Sequence, residues 1–114
     1  MIYLIQPADY RQSMQELLEN LLAQKHLTLN SLSTVPRPSQ VFNTYFIIND
    51  SQNTIWPALD YARAIRQQDK TGHLILLADQ IDYTAFFRSH LSFLAAIPFD
   101  QAQKEIQDYL DEFY

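Results

Sequence analysis

Few side chains in this 114-residue chain are of a type and spacing that could do chemistry. The clearest candidate is Asp50, which follows the apolar run Tyr45-Phe46-Ile47-Ile48 and one amide, Asn49. A carboxylate placed there could accept a group or hold a hard cation. The three histidines, His26, His73 and His90, are scattered without metal-ligand spacing and read as surface or helix-cap residues. Cysteine is absent, which removes disulfides, thiolate nucleophiles and cysteine metal sites. The single glycine, Gly72, excludes the glycine-rich loops that cradle nucleotide phosphates. No serine stands in a recognisable catalytic frame.

The elements that must position Asp50 follow from the apolar pattern. Tyr45–Asp50 suits a strand buried on both faces, with its polar carboxyl end at the surface. In an open α/β sheet that end is where ligands sit. Met1–Gln6 is a second such strand, stopped by Pro7, and Leu74–Leu77 a third. His26–Ser33 alternates weakly and reads as an outer strand, and Phe93–Ile97 as a weaker fifth ended by Pro98.

Helices fill the gaps. Met14, Leu17, Leu18, Leu21 and Leu22 share one helical face, with Asp9 and Gln12 spaced as a capping box. Pro36 and Pro38 leave a loop or a single turn before Phe42. Thr54 is placed to cap a helix with Pro57 in its first turn and Ile55, Leu59, Ala62 and Ile65 on its inner face. Gly72 is expected to give that helix a left-handed exit. Asp82 opens a short aromatic helix running to His90. Asp100 and Gln103 form the box of a last helix, with Ala102, Ile106, Tyr109, Leu110 and Phe113 on its face. Alternating buried strands and helices predict a three-layer, doubly wound parallel sheet of order 2-1-3-4-5, with the second helix short or absent.

Composition bounds the function. A chain with 47% hydrophobic residues can build one core, so residues 1–114 are expected to be one domain. A net charge of -5 argues against nucleic-acid contact and against an anionic membrane. No apolar run reaches spanning length and the first residues lack the charged start of a signal peptide, so a cytoplasmic protein is expected.

The layout resembles the receiver domain of two-component response regulators. The stretch Ala62–Leu77 (ARAIRQQDKTGHLILL) is similar to the third helix and fourth strand of receivers from LytTR-type regulators of peptide quorum sensing in Gram-positive bacteria. Tyr45-Phe46-Ile47 resembles their third strand, and Ile97-Pro98-Phe99-Asp100 resembles the Lys-Pro-Phe-Asp end of the fifth strand in receivers generally. The resemblance implies a flavodoxin-like fold and a phosphoryl-transfer site. Such a site uses two carboxylates after the first strand for Mg²⁺, an acceptor aspartate ending the third strand, a hydroxyl after the fourth and a lysine after the fifth.

In this chain the acidic pair falls on Pro7 and Ala8, and the hydroxyl on Ala78. The lysine falls on Ile97, or on Phe99 by the quorum-sensing spacing. That spacing places the acceptor at Ile48, and the generic receiver spacing at Asp50. Each lost oxyanion contact costs roughly 2.7–4 kcal/mol in comparable sites, so a site lacking two should hardly transfer phosphate. The expectation is therefore a pseudo-receiver of a transcription regulator, without catalysis, metal or cofactor, free-standing or the N-terminal part of a longer protein. A phosphorylatable receiver using Asp50 in an atypical site is the alternative, and a small nucleotide or flavin binder a third reading. Receivers commonly dimerise through the fourth helix, fifth strand and fifth helix. Phe86, Phe87, Arg88, Tyr109, Phe113 and Tyr114 map to that face, as partner contacts or as core, and a homodimer there is expected. Trp56 reads as either a partner anchor or outer helix packing.

Overall fold

Residue parity along each strand decides which layer its side chains enter, since successive side chains of a strand point to opposite faces. The computed structural model describes residues 1–10, 13–37, 41–51 and 56–114. It has strands β1 (Ile2–Ile5), β2 (Leu29–Leu32), β3 (Thr44–Asn49), β4 (His73–Ala78) and β5 (Ala95–Pro98). They form one sheet of order β2-β1-β3-β4-β5, with every adjacent pair parallel. Ile2, Leu4, Phe46, Ile48, Ile75 and Leu77 pack on α1 (Ser13–Ala23) and α4 (Ala102–Phe113). Tyr3, Ile5, Tyr45, Ile47, Leu74 and Leu76 face the opposite layer, with α2 (Ala58–Gln68). The short α3 (Tyr83–Arg88) adds Phe86 to that second layer. The two-faced burial explains why the central strands read as unbroken apolar runs.

The predicted sheet order is the observed one, and no helix lies between β2 and β3 among the described residues. Several local expectations give way to tertiary geometry. His26 does not start a strand. It sits in the left-handed region (φ 58°) just past α1, and Leu27 N–H reaches Leu22 O at 2.9 Å. With the His26 N–H on Ala23 O, this is the six-to-one closure that usually employs glycine, and it shortens β2 to Leu29–Leu32. Ala8 and Asp9 form a turn, closed by Tyr10 N–H on Pro7 O at 3.1 Å, and the described helix begins only at Ser13. The partner expected for Asp9, Gln12, lies outside the described residues, as do Thr54 and Ile55. Pro57 occupies the N-cap position of α2 rather than its first turn.

Gly72 has no left-handed backbone. It is needed for room. A Cβ there would stand 2.7 Å from Asp69 Oδ2, 2.8 Å from a Tyr45 ring carbon and 3.0 Å from Asn43 O. Asp82 does cap α3, its carboxylate accepting from Ala85 N–H at 3.1 Å, but the helix ends at Arg88 and His90 turns left-handed (φ 53°). Asp100 caps nothing, because a 3-10 turn (Phe99–Gln101) intervenes and the N-cap of α4 is Gln101, without a side-chain bond. No helix of the described residues is long and apolar enough to cross a membrane.

Candidate functional site

The carboxyl ends of β1, β3, β4 and β5 meet at one rim of the sheet. Register places Asn49 beside Ala78, and Ala78 beside Pro98. Asp50 and Asp79 are therefore the first residues beyond two adjacent strands. Asp50 Oδ2 accepts a hydrogen bond from Tyr10 OH at 2.8 Å. Asp79 accepts from Ser51 N–H at 2.9 Å and, through its other oxygen, from the Ser51 hydroxyl. Burial pushes the Asp79 carboxyl up, but the Ser51 bonds, with the main-chain N–H groups of Gln80 and of Asp79 itself, outweigh it and hold the pKa below its ordinary value. Each rim carboxylate is thus tied to a hydroxyl of a neighbouring loop.

Apart from Asp50, the alternative acceptor, the positions that the receiver resemblance assigns to chemistry are apolar. Ile48 and Ala78 are fully buried, Ile97 is 3% exposed, and Pro7 is buried. Ala8 is exposed, and Phe99 packs partly buried against the core layer of α1 and α4. Ile48 serves the sheet instead of the rim, with its side chain in that core and its carbonyl accepting from Trp56 Nε1 at 2.8 Å. The donor set does not fit the Mg²⁺ ion of a receiver: two of the three carboxylate positions hold no oxygen side chain. No group of three or more His, Asp or Glu side chains placed to hold a metal occurs among the described residues.

The Trp56 ring stacks on Tyr61 at 4.3 Å, so its role is to pack α2 against the end of β3. His26 and His90 occupy left-handed positions after helices. His73 instead joins a polar network at the opposite rim. Its Nδ1 lies 2.8 Å from Tyr109 OH, Tyr109 OH lies 2.7 Å from Thr44 Oγ1, and Thr44 Oγ1 lies 2.8 Å from Tyr114 OH. Burial, and then the charge of Arg66, lower the His73 pKa.

The α3–β5–α4 face is the second candidate. Phe87 is 70% exposed and Tyr83 58%, with their rings 6.5 Å apart. Arg88 is exposed, as are Phe113 and Tyr114. Tyr109 goes mostly inward: it is 7% exposed and sets its ring edge-on to Phe46 at 6.0 Å, while the same residue lines the groove between β5 and α4. Phe86 is half-buried and stacks on Phe93 at 5.0 Å. Sequence reading missed Asp79, Tyr10 and Ser51, although an acidic residue directly after a buried strand was a readable signal. It also missed three carboxylates on α4, Glu105, Asp108 and Glu112, which share one groove.

This arrangement defines a doubly wound, flavodoxin-like domain with a receiver-like fold. It is similar to the crystal structure of a response regulator from Thermotoga maritima, with a TM-score of 0.73 and 12% sequence identity. The match covers 97% of this chain and 93% of that one, and at such identity it shows the fold. No family model and no curated protein matches the sequence.

Proposed function

We propose that this is a pseudo-receiver of a transcriptional response regulator, related to the LytTR type, that works by protein contact without being phosphorylated. One observation carries the reading. Where the fold gathers its phosphoryl-transfer groups, the chain has Pro7, Ala8, Ala78 and Ile97 (Phe99 by the other spacing), and Asp50 already accepts from Tyr10. With apolar Pro7 and Ala8 in place of the acidic pair, no hydroxyl at Ala78 and no lysine ending β5, Asp50 would hold Mg²⁺ through few oxygens and leave the developing charge of transfer poorly compensated.

Trp56 makes the reading testable, because its indole is bonded to the carbonyl of Ile48 at the end of β3. Titration with Mg²⁺ and beryllofluoride should leave Trp56 fluorescence without a saturable change. A saturable change that is lost in Asp50→Ala would overturn the reading in favour of a phosphorylatable domain using Asp50.

The contact surface is the α3–β5–α4 face, and self-association through α3 is its first form. Exposed Phe87 and Tyr83 favour this, since large aromatics concentrate binding energy and an isologous pair can stack the same residues about a two-fold axis. Sedimentation velocity should show a concentration-dependent dimer. Phe87→Ser should weaken it about tenfold or more, the effect of losing a hot-spot aromatic. A monomer at every accessible concentration would sink this form of contact.

A further inference from the structure

Between β5 and α4 lies a groove of about 350 Å³. Ile75, Leu94, Ala95 and Ile97 form an apolar floor, and Phe113 stands at one end. The wall is α4, which contributes Glu105, Asp108 and Glu112, close to the three- and four-residue spacing of one helical face. Leu94 is 45% exposed and Phe113 43%, so the groove is open to solvent at these two residues, while Ile75 and Ile97 lie buried at its base. Oε2 of Glu105 is buried and has no hydrogen-bond partner among the described residues. The one positive group on this wall is Lys104, on the adjacent stripe of α4, and it is paired with Asp108 at 2.9 Å.

We infer that this groove binds a cationic, amphipathic segment of another protein, whose Lys or Arg side chains meet Glu105, Asp108 and Glu112 while its apolar side chains cover Leu94 and Phe113. Charge complementarity selects that occupant. A second copy of the chain fits poorly. Groove against groove would set three carboxylates facing three, and much of the chain's own positive charge is already engaged. Lys25 is bound to Asp111, Arg63 to Asp60, Lys104 to Asp108, and Arg66 to main-chain carbonyls. The aromatic patch on α3 carries no such conflict, so self-association there leaves the α4 groove open.

The inference rests on the reading of α3–β5–α4 as a contact surface, and the test separates the two. A fluorescein-labelled synthetic peptide of alternating Lys and Leu is titrated with the protein and followed by anisotropy. The triple variant Glu105→Gln/Asp108→Asn/Glu112→Gln should weaken binding roughly tenfold. A control triple, Glu16→Gln/Glu19→Gln/Asp60→Asn, removes the same formal charge from exposed sites elsewhere and should change affinity less than about twofold. The double variant Asp108→Asn/Glu112→Gln touches only exposed side chains, so it keeps the test valid if the Glu105 change disturbs folding. Equal weakening by both triples would reduce the effect to bulk charge and overturn the inference, as would absence of binding. If binding fails while the Phe87-dependent dimer persists, only the groove is lost. A beryllofluoride response would instead overturn the unphosphorylated reading and leave the peptide result standing.

Discussion

Asp69→Ala is expected to remove about 3–5 kcal/mol of stability, because it takes away an acceptor shared by several buried donors. Asp69 is 9% exposed and sits just after α2. Its Oδ2 accepts from Tyr45 OH at 2.7 Å and from Asn43 Nδ2 at 3.1 Å. Its Oδ1 accepts from the main-chain N–H groups of Gly72 at 2.8 Å and Thr71 at 3.1 Å. Tyr45 and Asn43 are 1% and 2% exposed, so water cannot easily replace the lost partner. Equilibrium urea denaturation should show a lower midpoint with an unchanged slope. A loss below about 1 kcal/mol, the net value of one ordinary hydrogen bond, would mean that the network is not what fixes this turn.

The same carboxylate gives the domain an acid-sensitive component. Burial raises the Asp69 pKa, but the bonds from Tyr45, Gly72, Asn43 and Thr71 outweigh burial and bring it down from 3.8 to about 2. Burial first, and then the bond to Asp69, push the Tyr45 phenol in the opposite direction, above its ordinary value. A depressed acid pKa stabilises the fold above the unfolded value and loses that contribution as pH falls through the folded one. Between pH 3.8 and about 2 the protein should therefore lose about 2 kcal/mol that Asp69→Ala never had, and the stability gap between the two should narrow by that amount.

Arg66→Ala is expected to cost about 2–4 kcal/mol, since charge-assisted bonds to several carbonyls disappear together. The guanidinium donates from Nε to Leu91 O at 2.9 Å, from Nη1 to Gly72 O at 2.9 Å and Asp69 O at 3.2 Å, and from Nη2 to Ser92 O at 3.2 Å. It joins the turn before β4 to the linker before β5. In that linker His90 and Ser92 hold left-handed backbone (φ 53° and 56°), a conformation that side chains with a Cβ resist. Without the clamp the linker should open, and hydrogen exchange at the amide of Leu94, bonded to Leu74 O at 2.8 Å, should accelerate more than exchange in β1 or β3. Arg66→Lys should restore only a minor part, because one ammonium cannot serve both loops. Leu94 also floors the α4 groove, so Arg66→Ala should weaken binding there even though Arg66 does not line it.

Much of this protein was legible in one dimension. The apolar runs at Ile2–Ile5, Tyr45–Ile48 and Leu74–Leu77 gave strands buried on both faces, and their alternation with helices left one sensible winding. Asp82 was a readable cap because its partner, Ala85 N–H, is three residues away. Pro7, Ala8, Ala78 and Ile97 were readable as apolar residues where the resemblance expects carboxylates, a hydroxyl and a lysine. Each of these signals is either periodic or local.

What local pattern could not decide was set by contacts between distant segments. Asp100 has the same local credentials as Asp82, yet a 3-10 segment displaces the helix start it would have served. Gly72 looked like a left-handed exit, and only the approach of Tyr45, Asn43 and Asp69 shows that it is needed for space. Asp50 was legible as a carboxylate at a strand's end, but only the fold brings it the hydroxyl of Tyr10, 40 residues earlier. The α4 carboxylates become a groove only when β5 is laid beside them. Burial periodicity is imprinted on every residue of an element, so sequence alone determined the layers and their order. Side-chain hydrogen bonds and charge complementarity depend on angstrom-scale positions across the sheet, and those exist only once the chain has folded.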